Sequence, residues 1–230
     1  KVFITVKDGT TNTISDGTSY SMIDGETTVD AAIFSKADLT INGSGTLSVS
    51  GNYKHGIVSK DDLVVTAGNL NVTSQKVGLN GKDCVKIGSS NVNIAAGSDG
   101  IRSDNEEDTS RGYIYLEGAT VNITAENDGI QAETVLNSNG ADVTINAGSG
   151  SENCLTDTEE SYKGMKAGSD ILISGGNYTI NSQDDGIHSN NTISITDGTI
   201  TLSSGDDGIH ADTDLSISGG TIDIIKSYEG

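Results

Sequence analysis

The sequence predicts an all-β chain, a right-handed parallel β-helix (solenoid) of about eight to nine 22-residue rungs with three short strands each. Three observations predict it. A marker glycine recurs at a near-constant interval, apolar residues alternate at fixed offsets from it, and the composition favours strands and turns over helices. Gly56, Gly78, Gly100, Gly129, Gly164, Gly186, Gly208 and Gly230 are spaced by 22, 22, 29, 35, 22, 22 and 22 residues. The two long intervals are one repeat plus insertions of 7 and 13 residues. A period of this length is the mark of a repeat architecture.

Within each unit the residue after the glycine is apolar: Ile57, Leu79, Ile101, Ile130, Met165, Ile187 and Ile209. A second pair follows at offsets 7 and 9, as in Leu63/Val65, Val85/Ile87, Ile171/Ile173 and Ile193/Ile195. A third comes at offsets 14 and 16, as in Leu70/Val72, Val92/Ile94 and Ile200/Leu202. Alternation over so few residues reads as strands, and the Gly, Asn and Asp between them as turns. The chain holds 30 Gly and no Pro, which suits a sheet in which nearly every backbone N–H is paired. We expect one domain over residues 1–230. Residues 1–31 form an irregular N-terminal rung or cap, and 32–230 form regular rungs with insertions near 103–111 and 147–161.

Charge narrows the partners. With 33 acidic and 13 basic residues the formal net charge is −20, which argues against a nucleic acid ligand. No apolar run reaches the ~18 residues of a membrane span. A monomer is expected. Cys84 and Cys154 are 70 residues apart with no metal-type spacing, and a disulfide or two free thiols both remain open. The chain opens at Lys1 without Met, which reads as a mature or trimmed protein, so an extracellular or cell-surface location is expected.

Stacked repeats turn single positions into columns. The column before the glycine includes Asp99, Asp128, Lys163, Asp185 and Asp207, and the one before that includes Tyr162, Asp184 and Asp206. Neighbouring units lie about 4.8 Å apart, so stacked carboxylates repel and recruit a cation. Oxygen ligands alone point to Ca²⁺. Two candidate metal sets follow: Asp99 with Asp128, Asp104 and Glu133, and Asp184 with Asp185, Asp206 and Asp207. The bland alternative is a set of solvated Asp-Gly corners. His188 and His210 sit beside the second set, as a solvated pair or a zinc-type donor pair. Arg102, Tyr162, Lys163 and Lys166 lie near the insertions, where a repeat protein often carries its binding face, and are the candidate ligand-binding residues.

The units "DDGIHSN" and "DDGIHAD", with strands such as "LSISGGTIDI", resemble a family of secreted bacterial carbohydrate-binding parallel β-helix proteins. That family binds cellulose and polygalacturonate and is related to calcium-dependent pectate lyases of polysaccharide lyase family nine. The resemblance covers residues 32–230 and implies a non-catalytic, calcium-binding protein that recognises plant cell-wall polysaccharide, with polygalacturonate (pectin) and cellulose as partners. In the lyases a D-D-G-x-D turn holds calcium and a later lysine is the base. Asp184 to Ile187 and Asp206 to Ile209 match the first four positions, while His188 and His210 replace the final Asp. "KGMKAG" puts Lys166 at the base position, but the preceding unit reads "NDGIQ" and lacks the doubled acid. The resemblance therefore implies binding, with a lyase using Lys166 as base, or a structural and adhesive cell-surface protein, as the alternatives.

Overall fold

The computed structural model describes residues 1–21, 29–153 and 161–228. Its strands form two sheets, one of 15 strands and one of 8, and every described strand pair is parallel. The apolar columns expected from the repeat are the core. Ile57, Leu79, Ile101, Ile130, Met165 and Ile187 are all fully buried, as are Leu63, Val85, Ile114, Leu136, Ile171 and Ile193. The repeat also fixes the register: Ile130 pairs with Met165, Met165 with Ile187, and Ile187 with Ile209.

The architecture corrects the expected solenoid of three-stranded rungs. Tyr113–Glu117 and Thr120–Ala125 both pair with a single 12-residue strand, Leu136–Ala147. Ile171–Ser182 and Thr192–Ser204 continue it. The second and third strand positions therefore belong to one continuous sheet, and the molecule is two parallel sheets instead of a three-faced β-helix. The physical reason lies at the joints. Gly140, Gly175, Gly176 and Gly198 hold positive φ, so the chain bends there while pairing across the bend resumes within a residue or two. Those glycines read as turns between separate strands.

The N-terminal residues carry strands too. Val2–Thr5 pairs with Leu39–Asn42 and Thr11–Ser15 pairs with Thr46–Gly51, so the 15-stranded sheet begins inside the first unit.

The marker glycines have a reason of their own. An ideal Cβ on Gly100, Gly129 or Gly164 would lie 2.5–2.6 Å from the carbonyl oxygen of the next marker glycine and 2.4–2.5 Å from an Ile methyl. Only a hydrogen fits between successive units at this position. The amides of Gly100 and Ile101 donate to the carbonyls of Asp128 and Gly129, so the backbone here is part of the stacked ladder. Polar ladders run outside the core as well: Asn69–Asn91, Asn71–Asn93 and Asn93–Asn122 are joined amide to amide at 2.9–3.0 Å.

Cys84 is buried and its thiol donates to an Asp62 carboxylate oxygen at 3.1 Å. Cys154, and with it the expected disulfide alternative, lies outside the described residues. Part of the second insertion, the marker Gly230 and Glu229 also lie outside them. Among the described residues no helix is long and apolar enough to cross a membrane.

Candidate functional site

The 8-stranded sheet contributes a run of three-residue strands: Ile101–Ser103, Ile130–Ala132, Met165–Ala167, Ile187–Ser189 and Ile209–Ala211. In each, the flanking side chains point to the core and the middle one points out. Strand pairing aligns the middle residues as one row: Asn80, Arg102, Gln131, Lys166, His188, His210. Steps along it equal the strand spacing of about 4.8 Å.

A carboxylate ladder stands behind the row. Asp99, Asp128 and Asp185 are only 5%, 2% and 4% exposed, so they are not solvated corners. Each is buried because its side chain lies along the stack and accepts the backbone N–H of the next unit. Asp99 Oδ1 accepts from Asp128 at 3.4 Å, Asp128 Oδ1 from Lys163 at 2.7 Å, and Asp185 Oδ1 from Asp207 at 3.1 Å. The other oxygen meets a row residue. Arg102 Nη1 lies 3.6 Å from Asp99, Lys166 Nζ 3.6 Å from Asp128, His188 Nδ1 2.7 Å from Asp185, and His210 Nδ1 2.7 Å from Asp207. Three of these pairs are spaced i, i+3, which is the "D-G-I-H" and "D-G-I-R" spelling of the sequence. Buried carboxylates thus orient Arg102, Lys166 and His188, and the half-buried Asp207 orients His210.

The outer edges of the row are also held. His188 Nε2 meets Asn190 at 3.0 Å and His210 Nε2 meets Asp212 at 3.1 Å. The two imidazole rings stack with centroids 5.0 Å apart. Arg102 Nε faces Asp104 at 3.6 Å, too far for a hydrogen bond, and has no other partner. Asp104 instead accepts from Asn80 at 3.2 Å.

Electrostatics split the ladder. Burial, with the neighbouring Asp128 charge second, pushes Asp99 up to about 6. Burial also pushes Asp185 up, but the hydrogen bond from His188 and the Lys163 ammonium outweigh it and hold the carboxyl at about 2. The hydrogen bond to Asp207 raises His210 above its ordinary value.

The two expected metal sets come out differently. Asp184, Asp185 and Asp206 do bring carboxylate oxygens within 4.8 Å of one another, while Asp207 turns to His210. That donor set suits a hard, oxygen-seeking cation such as calcium. Its charge is already met by Lys163, whose Nζ lies 2.6 Å from Asp184 and 2.9 Å from Asp185. Lys163, expected to bind ligand, is therefore the internal counter-ion of this cluster. Asp99, Asp104, Asp128 and Glu133 do not gather in this way. Asp99 and Asp128 spend their oxygens on backbone amides and on Arg102 and Lys166, and Asp104 faces Asn80 and Arg102. Among the described residues, donor atoms also converge at Asp185–His188–His210 and at Asp61–Asp62–Asp83. In the latter, Asn105 and Arg111 already bond Asp83.

Of the expected ligand-binding residues, Arg102 and Lys166 stand in the row. Tyr162 packs its ring over Gly148. Gln131 was not singled out by sequence, although it sits at the same offset from its marker glycine as Arg102 and Lys166.

This chain belongs to the carbohydrate-binding domain-containing proteins, whose family profile matches residues 1–208. A carbohydrate-binding domain-containing protein of Acetivibrio thermocellus is 36% identical over 155 residues, covering 67% of this chain and 54% of the relative. The chain thus spans about half the length of that relative. Among solved structures, it is similar to the polysaccharide lyase-like protein from C. thermocellum, determined as a gadolinium derivative. The TM-score is 0.55 at 24% identity, over 95% of this chain and 67% of that one. That likeness shows the fold.

Proposed function

We propose that this carbohydrate-binding domain holds an acidic polysaccharide of the polygalacturonate type along the row Arg102, Gln131, Lys166, His188, His210. The observation that carries the reading is the row itself: polar side chains at equal spacing, of which Arg102, Lys166 and His188 each stand outside a buried carboxylate. A linear polymer presents carboxylates and hydroxyls at regular intervals to such a row, and arginine and lysine supply charge-assisted hydrogen bonds. The overall charge of −20 opposes a polyanion, so binding depends on the Arg102 and Lys166 cations that the row presents.

Calcium enters the reading at Asp184, Asp185 and Asp206, with Lys163 withdrawn. There the ion would supply a bridge between protein and uronate carboxylates. An extracellular location goes with a polymer ligand of this kind. Cellulose, a neutral polymer, finds no charge to exploit in the row; the asparagine ladders of the other sheet are the surface that would suit it.

A lyase reading would use Lys166 as base. Lys166 Nζ is paired with Asp128 and 3.3 Å from Ser161 Oγ, an arrangement that serves to hold a ligand carboxylate. Titration calorimetry with polygalacturonate tests the proposal. Arg102→Ala and Lys166→Ala should each weaken binding by about 1.5–3 kcal/mol, and EGTA should weaken it further. Unchanged affinity in both variants would remove the row from the account. Release of unsaturated product by wild type but not Lys166→Ala would favour the lyase.

A further inference from the structure

A second cluster of sugar-compatible side chains lies on the 15-stranded sheet, away from the charged row. Strand pairing places Lys86, Tyr115 and Asn137 side by side, Lys86 opposite Tyr115 and Tyr115 opposite Asn137. All three are half-buried with outward side chains, between core residues such as Val85, Ile114 and Leu136. They line a hollow of about 360 Å³, at the small end of ordinary ligand pockets. Tyr113, Thr109 and Ser110 complete its wall.

Thr109 and Ser110 bring the 7-residue insertion into the wall, and that insertion is pinned down. Asn105, 5% exposed, donates to Asp83 at 2.5 Å and accepts the amides of Glu107 and Asp108 at 3.0 Å. Arg111 bridges Asp83 and Asp108, and Thr134 donates to the Arg111 carbonyl at 2.5 Å. The hydroxyls of Thr109 and Ser110 are thus carried beside the hollow on a fixed loop.

Lys86 is the telling residue. In a chain with 33 acidic side chains it makes no ion pair among the described residues. Its ammonium lies 5.1 Å from the Tyr113 ring centroid. That cation occupies Tyr113, whereas no hydrogen bond engages Tyr115 among the described residues. An aromatic face flanked by an ammonium that is held by Tyr113 but by no carboxylate ion pair among the described residues, and by an amide, matches a pyranose that carries a carboxylate. The ring's C–H face stacks on the aromatic, the charge meets the ammonium, and hydroxyls meet the amide and the loop.

We propose that Lys86, Tyr115 and Asn137 form a second glycan subsite, which seats one uronate pyranose with its ring face on Tyr115 and its carboxylate at Lys86. The proposal rests on the reading of this domain as a binder of acidic glycan, and gives it a second, separate point of attachment.

The test is an NMR titration of the tyrosine-labelled protein with trigalacturonate, run in parallel with neutral cellotriose. The Tyr115 ring signals should shift with trigalacturonate. Tyr115→Ala should weaken binding about tenfold, while Tyr115→Phe, which keeps the ring, should stay within about threefold of wild type. Lys86→Gln should abolish the preference for trigalacturonate over cellotriose that the Tyr115 ring signals report. The Arg102→Ala/Lys166→Ala protein should still shift Tyr115. Equal affinity in wild type, Tyr115→Ala and Lys86→Gln, with loss only in the Arg102/Lys166 variant, overturns the subsite and leaves the row standing. If wild type binds neither trigalacturonate nor polygalacturonate, both readings fall together.

Discussion

The Lys163 ammonium lies 2.9 Å from the Asp185 carboxylate, deep enough that Asp185 is only 4% exposed. In the column of residues before the marker glycines, Lys163 stands between Asp128 and Asp185, an ammonium set into a line of acids. A buried charge left without its partner costs about 3–5 kcal/mol. Lys163→Met should therefore destabilise by that order, and adding Asp185→Asn should recover part of the loss. The same substitution opens the Asp184–Asp185–Asp206 cluster to a divalent ion. Calcium should raise Tm more in Lys163→Met than in wild type; an equal response in the two proteins would count against a latent cation site.

Stability should respond to pH through two aspartates with opposite shifts. Native Asp99, held at about 6 against an ordinary 3.8, binds its proton more tightly than the unfolded chain does. Its contribution is greatest below pH 3.8 and is lost as pH rises through about 6. Native Asp185, held at about 2, contributes above pH 3.8 and loses that contribution as pH falls toward 2. Urea midpoints measured across pH should lose their decline between about 4 and 6 in Asp99→Asn. Asp185→Asn should flatten the decline below about 4 instead. Slopes that both variants leave intact would mean other groups govern these windows.

The marker glycines should resist even a methyl group. Gly129→Ala would drive a Cβ to 2.6 Å from the Gly164 carbonyl oxygen, and neither backbone can retreat without disturbing the stack. A loss of about 1–3 kcal/mol is expected. Gly88→Ala is the control, because its nearest neighbour would be 3.6 Å away and it should change stability by less than about 0.5 kcal/mol. Thermal melts of the two proteins separate close approach from glycine's general flexibility.

Cys84 should be inert while the chain is folded. Burial, with the hydrogen bond to Asp62 second, pushes its thiol up to about 12, and the thiolate is the reactive form. In a Cys154→Ser protein, a thiol reagent should label Cys84 only with denaturant. Rapid labelling of the native protein would contradict its burial.

Much of this was legible in the sequence, and what was not has a common cause. Offsets from the marker glycine gave the core and the pairing register, because burial repeats with the backbone. They did not show that strands such as Leu136–Ala147 run through the bend, since a glycine at positive φ reads the same in a loop and in a paired strand. The carboxylates were visible as a column. Their burial was not, because it arises from Asp128 and Asp185 accepting amides one unit on. For the same reason Lys163 looked like a ligand contact and is a counter-ion. The pairing of His188 with Asp185 was present in the i, i+3 spelling all along.

The equal spacing of Arg102, Gln131, Lys166, His188 and His210 makes the short sheet a comb. A comb of rigid pitch favours polymers whose own repeat keeps step with its teeth. A chain with a different rise per sugar would engage one or two teeth and then drift out of phase. Selectivity here would come from the geometry of hydrogen-bonded strands as much as from any single side chain. A duplicated 22-residue unit would lengthen the comb by one tooth without redesigning it.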